Sequence, residues 1–365
     1  MRRKRNLLLL GTLLAGSFAL MAWAWQPFRV VGPSMEPCFV EGDWLVLGHE
    51  EPKRDDLVVF LEPGSGKNVI KRVAGVPGET VQLVDGDLYL DGAAHQRDYT
   101  SVEDLVPMVD AVGEEADAVL RLREHGFEKS DEHFWKLQGD GVAYLQRPPS
   151  ADYLLRGQHI EGELPAKDLG MEVEYGLLAE GSELHMVLRK GKATFLAVLS
   201  KEGAHLRISQ LGVDGQVEHL LYDQALGAKQ ERGHAFFTLA DGCATFVLNE
   251  EVLVAGAPYP ALEPLRLSEV PMEFRNFEHA GVGGIGPLLI GRVRLGRDIL
   301  YRSTGTYGVS EAFQLADGQY FLLGDNPTQS RDSRDYGAVP SDRILGTVSS
   351  RLWPRGWTER GWPVE

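Results

Sequence analysis

The alternation of apolar and polar positions divides the chain into stretches of different character. MRRKR opens it with four cations, and NLLLLGTLLAGSFALMAWAW, residues 6–25, follows without a charged side chain. At a helical rise of ~1.5 Å per residue this run is long enough for a hydrocarbon layer of ~30 Å. The basic flank predicts an N-terminus kept on the cytoplasmic side and the remainder outside, with Trp23 and Trp25 where an aromatic belt belongs. A cleaved signal peptide is the competing reading, since Ala22 and Ala24 make a small-x-small site. The run is longer than a usual signal core, so an uncleaved anchor is expected.

Beyond residue 25 the period falls to two. DWLVLG, DLVVFLE, NVIKRVAGV and TVQLVDGDLYLDG predict short antiparallel strands, with VDGD as a tight hairpin turn. From about Thr100 to Glu132 the texture is charged, which predicts a connector or surface segment holding one short helix. A long series of strand-like runs follows to Ile299: ELHMVLRK, ATFLAVLS, HLRISQLG, HAFFTLA, CATFVLN, EVLVAG and PLLIGRVRLG. Their turns recur every ~8–12 residues, the spacing of a sandwich or barrel. QYFLLGDNPTQSRDSRDYGAVPSDRILGTVSSRLWP then returns to the texture of the first strands. The predicted fold is therefore mainly β: a basic tail over residues 1–5, an anchor over 6–25, one sheet domain assembled from 26–98 and 300–365, and an all-β domain over 99–299 inserted between its strands. Such an insertion is cheap, because loop-closure entropy grows only logarithmically with length.

Composition narrows the classes. Of 365 residues 43% are hydrophobic and 25% charged, enough for full cores. A net charge of −16 argues against a nucleic-acid surface, which needs clustered Lys and Arg. Cys38 and Cys243 are far apart in sequence and are expected as free thiols. The ten histidines are dispersed and there is no HExxH, so no metal and no cofactor is implied.

Three motifs carry candidate chemistry. Ser34 in GPSMEP sits between Pro33 and Pro37, each fixing φ, beside a glycine at position 32 that permits unusual backbone geometry. A serine among turn formers is usually structural. Lys71 in VIKRVAGVPGE lies in a strand among Val69, Ile70 and Val73; its amine either snorkels to water or is desolvated, and desolvation lowers a lysine pKa by up to ~3–5 units and makes a general base. LGDNPTQSRDSRDYG is a polar loop whose Asp and Arg residues could hold a turn. Together the three suggest a nucleophilic hydroxyl with an amine base, a variant of triad logic. The serine has no GxSxG around it.

In this order, behind a basic-flanked apolar run, GPSMEP, VIKRVAGVPGE and YFLLGDNPTQSRDSRDYGAVP resemble the type I signal peptidase family. The similarity covers roughly residues 1–95 and 300–356. It implies a membrane-bound serine endopeptidase that removes signal peptides from exported preproteins on the outer face of the cytoplasmic membrane, close to the secretion translocon. It also implies a largely β catalytic unit with a variable domain inserted after the lysine motif. By position, Ser34 is the implied nucleophile and Lys71 the general base. Ser330 matches the serine that orients the lysine, Asp332 and Arg334 the supporting ion pair, and Met35 a packing residue beside the nucleophile. Gly32 stands where many members carry a serine whose hydroxyl serves the oxyanion hole, which leaves the Ser34 N–H as the expected donor. GDNPTQS replaces the more usual GDNRDNS.

The inserted region resembles a concanavalin/laminin-G-type jelly roll without a binding constellation legible in its residues. GVGGIG, residues 281–286, satisfies GxGxxG but precedes Pro287 and a strand pattern, and is expected as a glycine-rich turn rather than a dinucleotide site. DGDLYLDG lacks the terminal glutamate of a calcium loop. Trp353, Trp357 and Trp362, with Arg355 and Arg360, suit either a bilayer interface or simple packing. Two other readings stay open on the residues alone: a self-cleaving Ser–Lys repressor, disfavoured by the anchor, and an anchored β-sandwich binding module with a decayed protease half.

Overall fold

The computed structural model describes residues 27–84, 86–145, 153–155, 158–160, 168–190, 193–202, 204–212, 215–226, 231–260, 280–326 and 329–353. The expected anchor over 6–25 lies outside them, as do Arg355, Trp357, Arg360 and Trp362 and the side chain of Trp353. Among the described residues no helix is long and apolar enough to cross a membrane. Contacts divide the chain into two units, one from the residues up to Ala93 together with those from Tyr301 onward, the other Ala94–Leu300.

The first unit is organised by a seven-stranded antiparallel sheet among the described residues. Its order is Pro27–Arg29, Trp44–Gly48, Ile344–Trp353, Leu57–Leu61, Asn68–Gly75, Gln319–Leu323 and Val339–Pro340. Strands from both ends of the chain thus interleave. Successive side chains of a strand point to opposite faces, and here both faces are covered. Val59 and Ile70 join Val30, Met35, Phe39 and Leu45 in one apolar cluster, whereas Val58, Phe60 and Val73 join Tyr320, Leu322 and Val339 in another. Double-sided burial explains why LVVFL reads as a continuous apolar run rather than an alternating one. A smaller sheet carries the hairpin of Thr80–Val84 and Asp87–Leu90, closed with Val84 opposite Asp87.

The second unit is a sandwich. One sheet is ordered Glu251–Pro258, Cys243–Leu248, Arg232–Ala240, Leu169–Leu177, Leu288–Arg297, Trp135–Leu137 and Phe127–Lys129, with Val106–Ala111 also paired to Leu288–Arg297. The other is ordered Asp140–Tyr144, Ala280–Ile285, Glu183–Lys190, Ala193–Ser200, His205–Leu211 and Val217–Ala225. Along Ala193–Ser200 every second side chain is buried. Phe195 from that strand meets Phe237, Phe246, Trp135 and Tyr175 of the facing sheet in one apolar core.

Two expectations need correction. The charged stretch from Thr100 to Glu132 is no surface connector. Its helix exists, Glu114–Leu120, but Val106–Ala111 is a sheet strand, and Val102, Met108, Leu120 and Leu122 are buried. The acidic residues between these apolar positions hide their spacing. GVGGIG is not a turn either; most of it lies in the strand Ala280–Ile285. A Cβ on Gly283 would stand 2.0 Å from the Gly141 carbonyl oxygen, and one on Gly284 1.8 Å from that of Glu183. The glycines let neighbouring backbones close in on both sides, which a phosphate-binding loop does not require.

Candidate active site

Ser34 lies in the turn region between the edge strand Pro27–Arg29 and Trp44–Gly48. Gly32 enters that turn at φ +83°, with open space where a Cβ would stand, so glycine is there for its backbone and not for room. The Glu36 N–H donates to the Pro33 carbonyl at 3.0 Å, and the Phe39 N–H to that of Met35 at 2.9 Å. Met35 is fully buried in the first apolar cluster and anchors the residue after the serine. From the far side the Asn326 N–H donates to the Ser34 carbonyl at 3.1 Å. Among the described residues the Ser34 N–H itself donates no hydrogen bond.

Lys71 occupies the middle of Asn68–Gly75, opposite Val58 of the adjacent strand. Its side chain is 2% exposed. Nζ lies 2.6 Å from Ser34 Oγ and donates to the Ile70 carbonyl at 3.0 Å. Burial pulls its pKa down from the ordinary lysine value, against the attraction of Asp332, Asp325 and Glu62, to about 8. Loss of one proton reverses the short contact, since the Ser34 hydroxyl then donates to the nitrogen lone pair.

The supporting loop is built on Asp332. This residue caps the short helix Ser333–Tyr336, accepting from the Arg334 N–H, while Asp335 accepts from the Asp332 N–H at 3.1 Å. The Arg334 guanidinium donates to both Asp332 oxygens, at 2.8 and 2.7 Å, with both side chains almost wholly buried. Arg334 also donates to the Arg302 carbonyl at 3.1 Å. Ser330 departs from the reading as the lysine's partner: its hydroxyl donates to Asp332 at 2.8 Å, and among the described residues it has no bond to Lys71. The Asp332 carboxylate is the stronger acceptor and lies two residues away, so it takes that hydroxyl. Gly324 makes this packing feasible, because a Cβ there would stand 2.1 Å from Ser330 Oγ.

A second buried pair escaped the sequence reading. Arg72 donates through two nitrogens to Asp325, at 2.8 and 2.6 Å, and through a third to the Asp55 carbonyl at 2.8 Å. Burial works against the Arg72 charge, yet Asp325 holds the guanidinium protonated beyond its ordinary range. Asp325 immediately precedes Asn326, whose N–H holds the Ser34 carbonyl, so the pair fixes the chain segment behind the serine. The available signal was a cation in a strand with apolar Ile70 and Ala74 as its same-face neighbours, which demands a counter-charge.

This arrangement offers a hydroxyl, an amine able to lose its proton near neutrality, and an unengaged backbone N–H at one place. A family model described as signal peptidase, peptidase S26, matches residues 3–139 and 278–353, more than half of the chain. The chain belongs to this family. Signal peptidase I of Streptococcus pneumoniae serotype 4 (strain ATCC BAA-334 / TIGR4) is 38% identical over 68 residues, 18% of this chain and 33% of the relative. Signal peptidase I of Bacillus licheniformis is 36% identical over 89 residues, 22% of this chain and 47% of the relative. The matched stretch thus spans a third to about half of the length of these curated relatives. A crystal structure of a signal peptidase I from Enterococcus faecalis V583 aligns over 83% of this chain and all of that chain, with 14% identity and a TM-score of 0.23. In this signal peptidase family member, Ser34, Lys71, Ser330, Asp332, Arg334, Gly32 and Met35 all fall in the first unit.

Proposed function

We propose that the protein is a membrane-anchored serine endopeptidase that cleaves signal peptides from exported preproteins with Ser34 as nucleophile and Lys71 as general base. The observation that carries this reading is the 2.6 Å approach of the Lys71 amine to the Ser34 hydroxyl inside a buried environment. Neutral Lys71 takes the Ser34 proton as Oγ attacks the scissile carbonyl carbon. The tetrahedral oxygen that forms faces the Ser34 N–H, a fixed dipole of the kind worth ~3–4 kcal/mol to a transition state. The ammonium returns its proton to the leaving amine, and water, deprotonated in turn by Lys71, releases the acyl group from Ser34.

Substrate recognition follows from the sheet edge. Pro27–Arg29 ends the seven-stranded order and leaves one edge for an extended peptide to pair with. Beside it a cleft of about 100 Å³ is lined by Val30, Ser34, Leu45, Val59 and Ile70. Branched apolar walls around so small a space suit an alanine-sized side chain, which fits the small-x-small sites of signal peptides. Residues 6–25 would hold the unit at the outer surface of the cytoplasmic membrane, near the translocon that delivers preproteins, and Asp332 with Arg334 would position the loop beside Lys71.

Cleavage of a model preprotein by the detergent-solubilised full chain tests the reading. Lys71→Ala is expected to lower kcat/KM by a factor on the order of 10²–10⁴, with the fold retained by circular dichroism. Ser34→Ala should leave no cleavage above background. Processing by either variant at the wild-type rate overturns the assignment.

A further inference from the structure

The sheet face that carries Lys71 holds a further carboxylate. Side chains two apart share a strand face, so Lys71 lies in one row with Val69 and Val73, and register sets that row against Val58 and Phe60. Glu62 continues the row beyond Phe60, where its N–H donates to the Lys67 carbonyl at 2.9 Å across the hairpin. Its side chain is buried. The Ser65 hydroxyl donates to the Glu62 carboxylate, and the Gly66 N–H donates to the Glu62 carbonyl at 3.0 Å, so the turn fixes the acid in place.

The loop that covers this face meets Glu62 through Arg331. The Arg331 guanidinium, exposed to solvent, stands 3.7 Å from Glu62 Oε1. It also lies over the Tyr336 ring, 5.9 Å from the centroid, and that ring packs on Phe60 at 6.5 Å. Ser330 and Asp332 flank Arg331, so the loop that carries Asp332 also carries the cation that meets Glu62. Lys67, the hairpin's own cation, is exposed to water.

Opposed charges therefore face the Lys71 amine. Burial draws its proton off; Asp332, Asp325 and Glu62, in that order, hold it, and Arg334 acts with burial. Asp332 and Asp325 are each bound by two nitrogens of a largely buried arginine, Arg334 and Arg72. Glu62 has only the loose approach of Arg331 from the solvent side, which leaves much of its field uncompensated. Of the three acids it is the one whose charge can be removed without stranding a buried guanidinium.

We propose that Glu62 is a positioning residue for the reaction: its charge holds the proton on the Lys71 amine, and Arg331, by pairing with Glu62, relaxes that hold. The inference rests on Lys71 being the general base.

The test is the pH profile of kcat/KM for preprotein cleavage by the full chain. Glu62→Gln keeps the side chain's shape and its acceptor for Ser65, and should move the rising limb to lower pH by roughly half a unit. On the acid side of the limb, at about pH 6.5, its kcat/KM should exceed the wild-type value about threefold. Arg331→Ala, at an exposed position that leaves the fold intact, should move the limb to higher pH, and the double variant should follow Glu62→Gln. A merely structural defect lowers the rate and does not raise it on the acid side. A wild-type limb centred at about 8 that neither variant moves overturns the role of Glu62 and leaves the Ser34–Lys71 reading standing. A limb that both variants move in the same direction overturns it as well. A wild-type profile without such a limb removes Lys71 as the base, and this inference with it.

Discussion

Lys71 and Arg72 are adjacent cations that meet opposite fates. Period two turns them to different neighbours: Arg72 finds the Asp325 carboxylate and keeps its charge, while Lys71 finds a hydroxyl and a carbonyl and loses its hold on the proton. The Asp332–Arg334 pair shows what such burial demands. With both partners out of water, deleting one strands the other, a loss of ~3–5 kcal/mol. Asp332→Ala should therefore lower unfolding stability in denaturant by about that amount, and a change below ~1 kcal/mol would contradict a buried, mutually dependent pair. Ser34 and Lys71 were picked out by the order of three motifs and the family it resembles, since the turn around the serine and the apolar strand around the lysine each read as structural when taken alone. The hydroxyl partner of Ser330 and the Arg72–Asp325 pair were not. The first depends on how one loop folds back on itself, and the second joins positions 253 residues apart.

At the scale of elements, strand boundaries were read well wherever one face is buried and the other is not. Glu183–Lys190 and Ala193–Ser200 coincide with the apolar runs ELHMVLRK and ATFLAVLS. Legibility failed where a strand has too few side chains to show a period. In Ala280–Ile285 glycine is selected by the neighbouring backbones, and no one-dimensional pattern reveals a neighbour. Gly283→Val puts a branched side chain where the Gly141 carbonyl already stands, so the sandwich must open or the variant must fail to fold. Expression should shift to the insoluble fraction, or Tm should fall by several degrees. A soluble variant with wild-type Tm would contradict the strand assignment. Val106–Ala111 failed for a different reason, since Pro107 and Asp110 interrupt a largely buried segment within a charged stretch.

At the scale of the whole chain, the interleaving of terminal strands was legible because the stretches before Ala93 and after Tyr301 share one texture and the longer middle another. Surface grooves of the middle unit were not legible, since the one of about 570 Å³ is made of side chains drawn from four strands and two connecting segments. The proposed reaction draws on the interleaving directly: the hydroxyl comes from the turn after Pro27–Arg29 and the amine from Asn68–Gly75, while the segment that holds the Ser34 carbonyl through Asn326 and Arg72 through Asp325 comes from the C-terminal part, 253 residues after Arg72. Function then rests on one proton, and its titration in the full chain is measurable. Below the Lys71 pKa the amine is charged and cannot accept from Ser34; above it the amine is free. The pH profile of kcat/KM for preprotein cleavage should accordingly rise through a single limb centred near the Lys71 value of about 8 and level off above it. A limb centred at the free-lysine value of about 10.4, or a rate flat across that range, would contradict a desolvated Lys71 as the base.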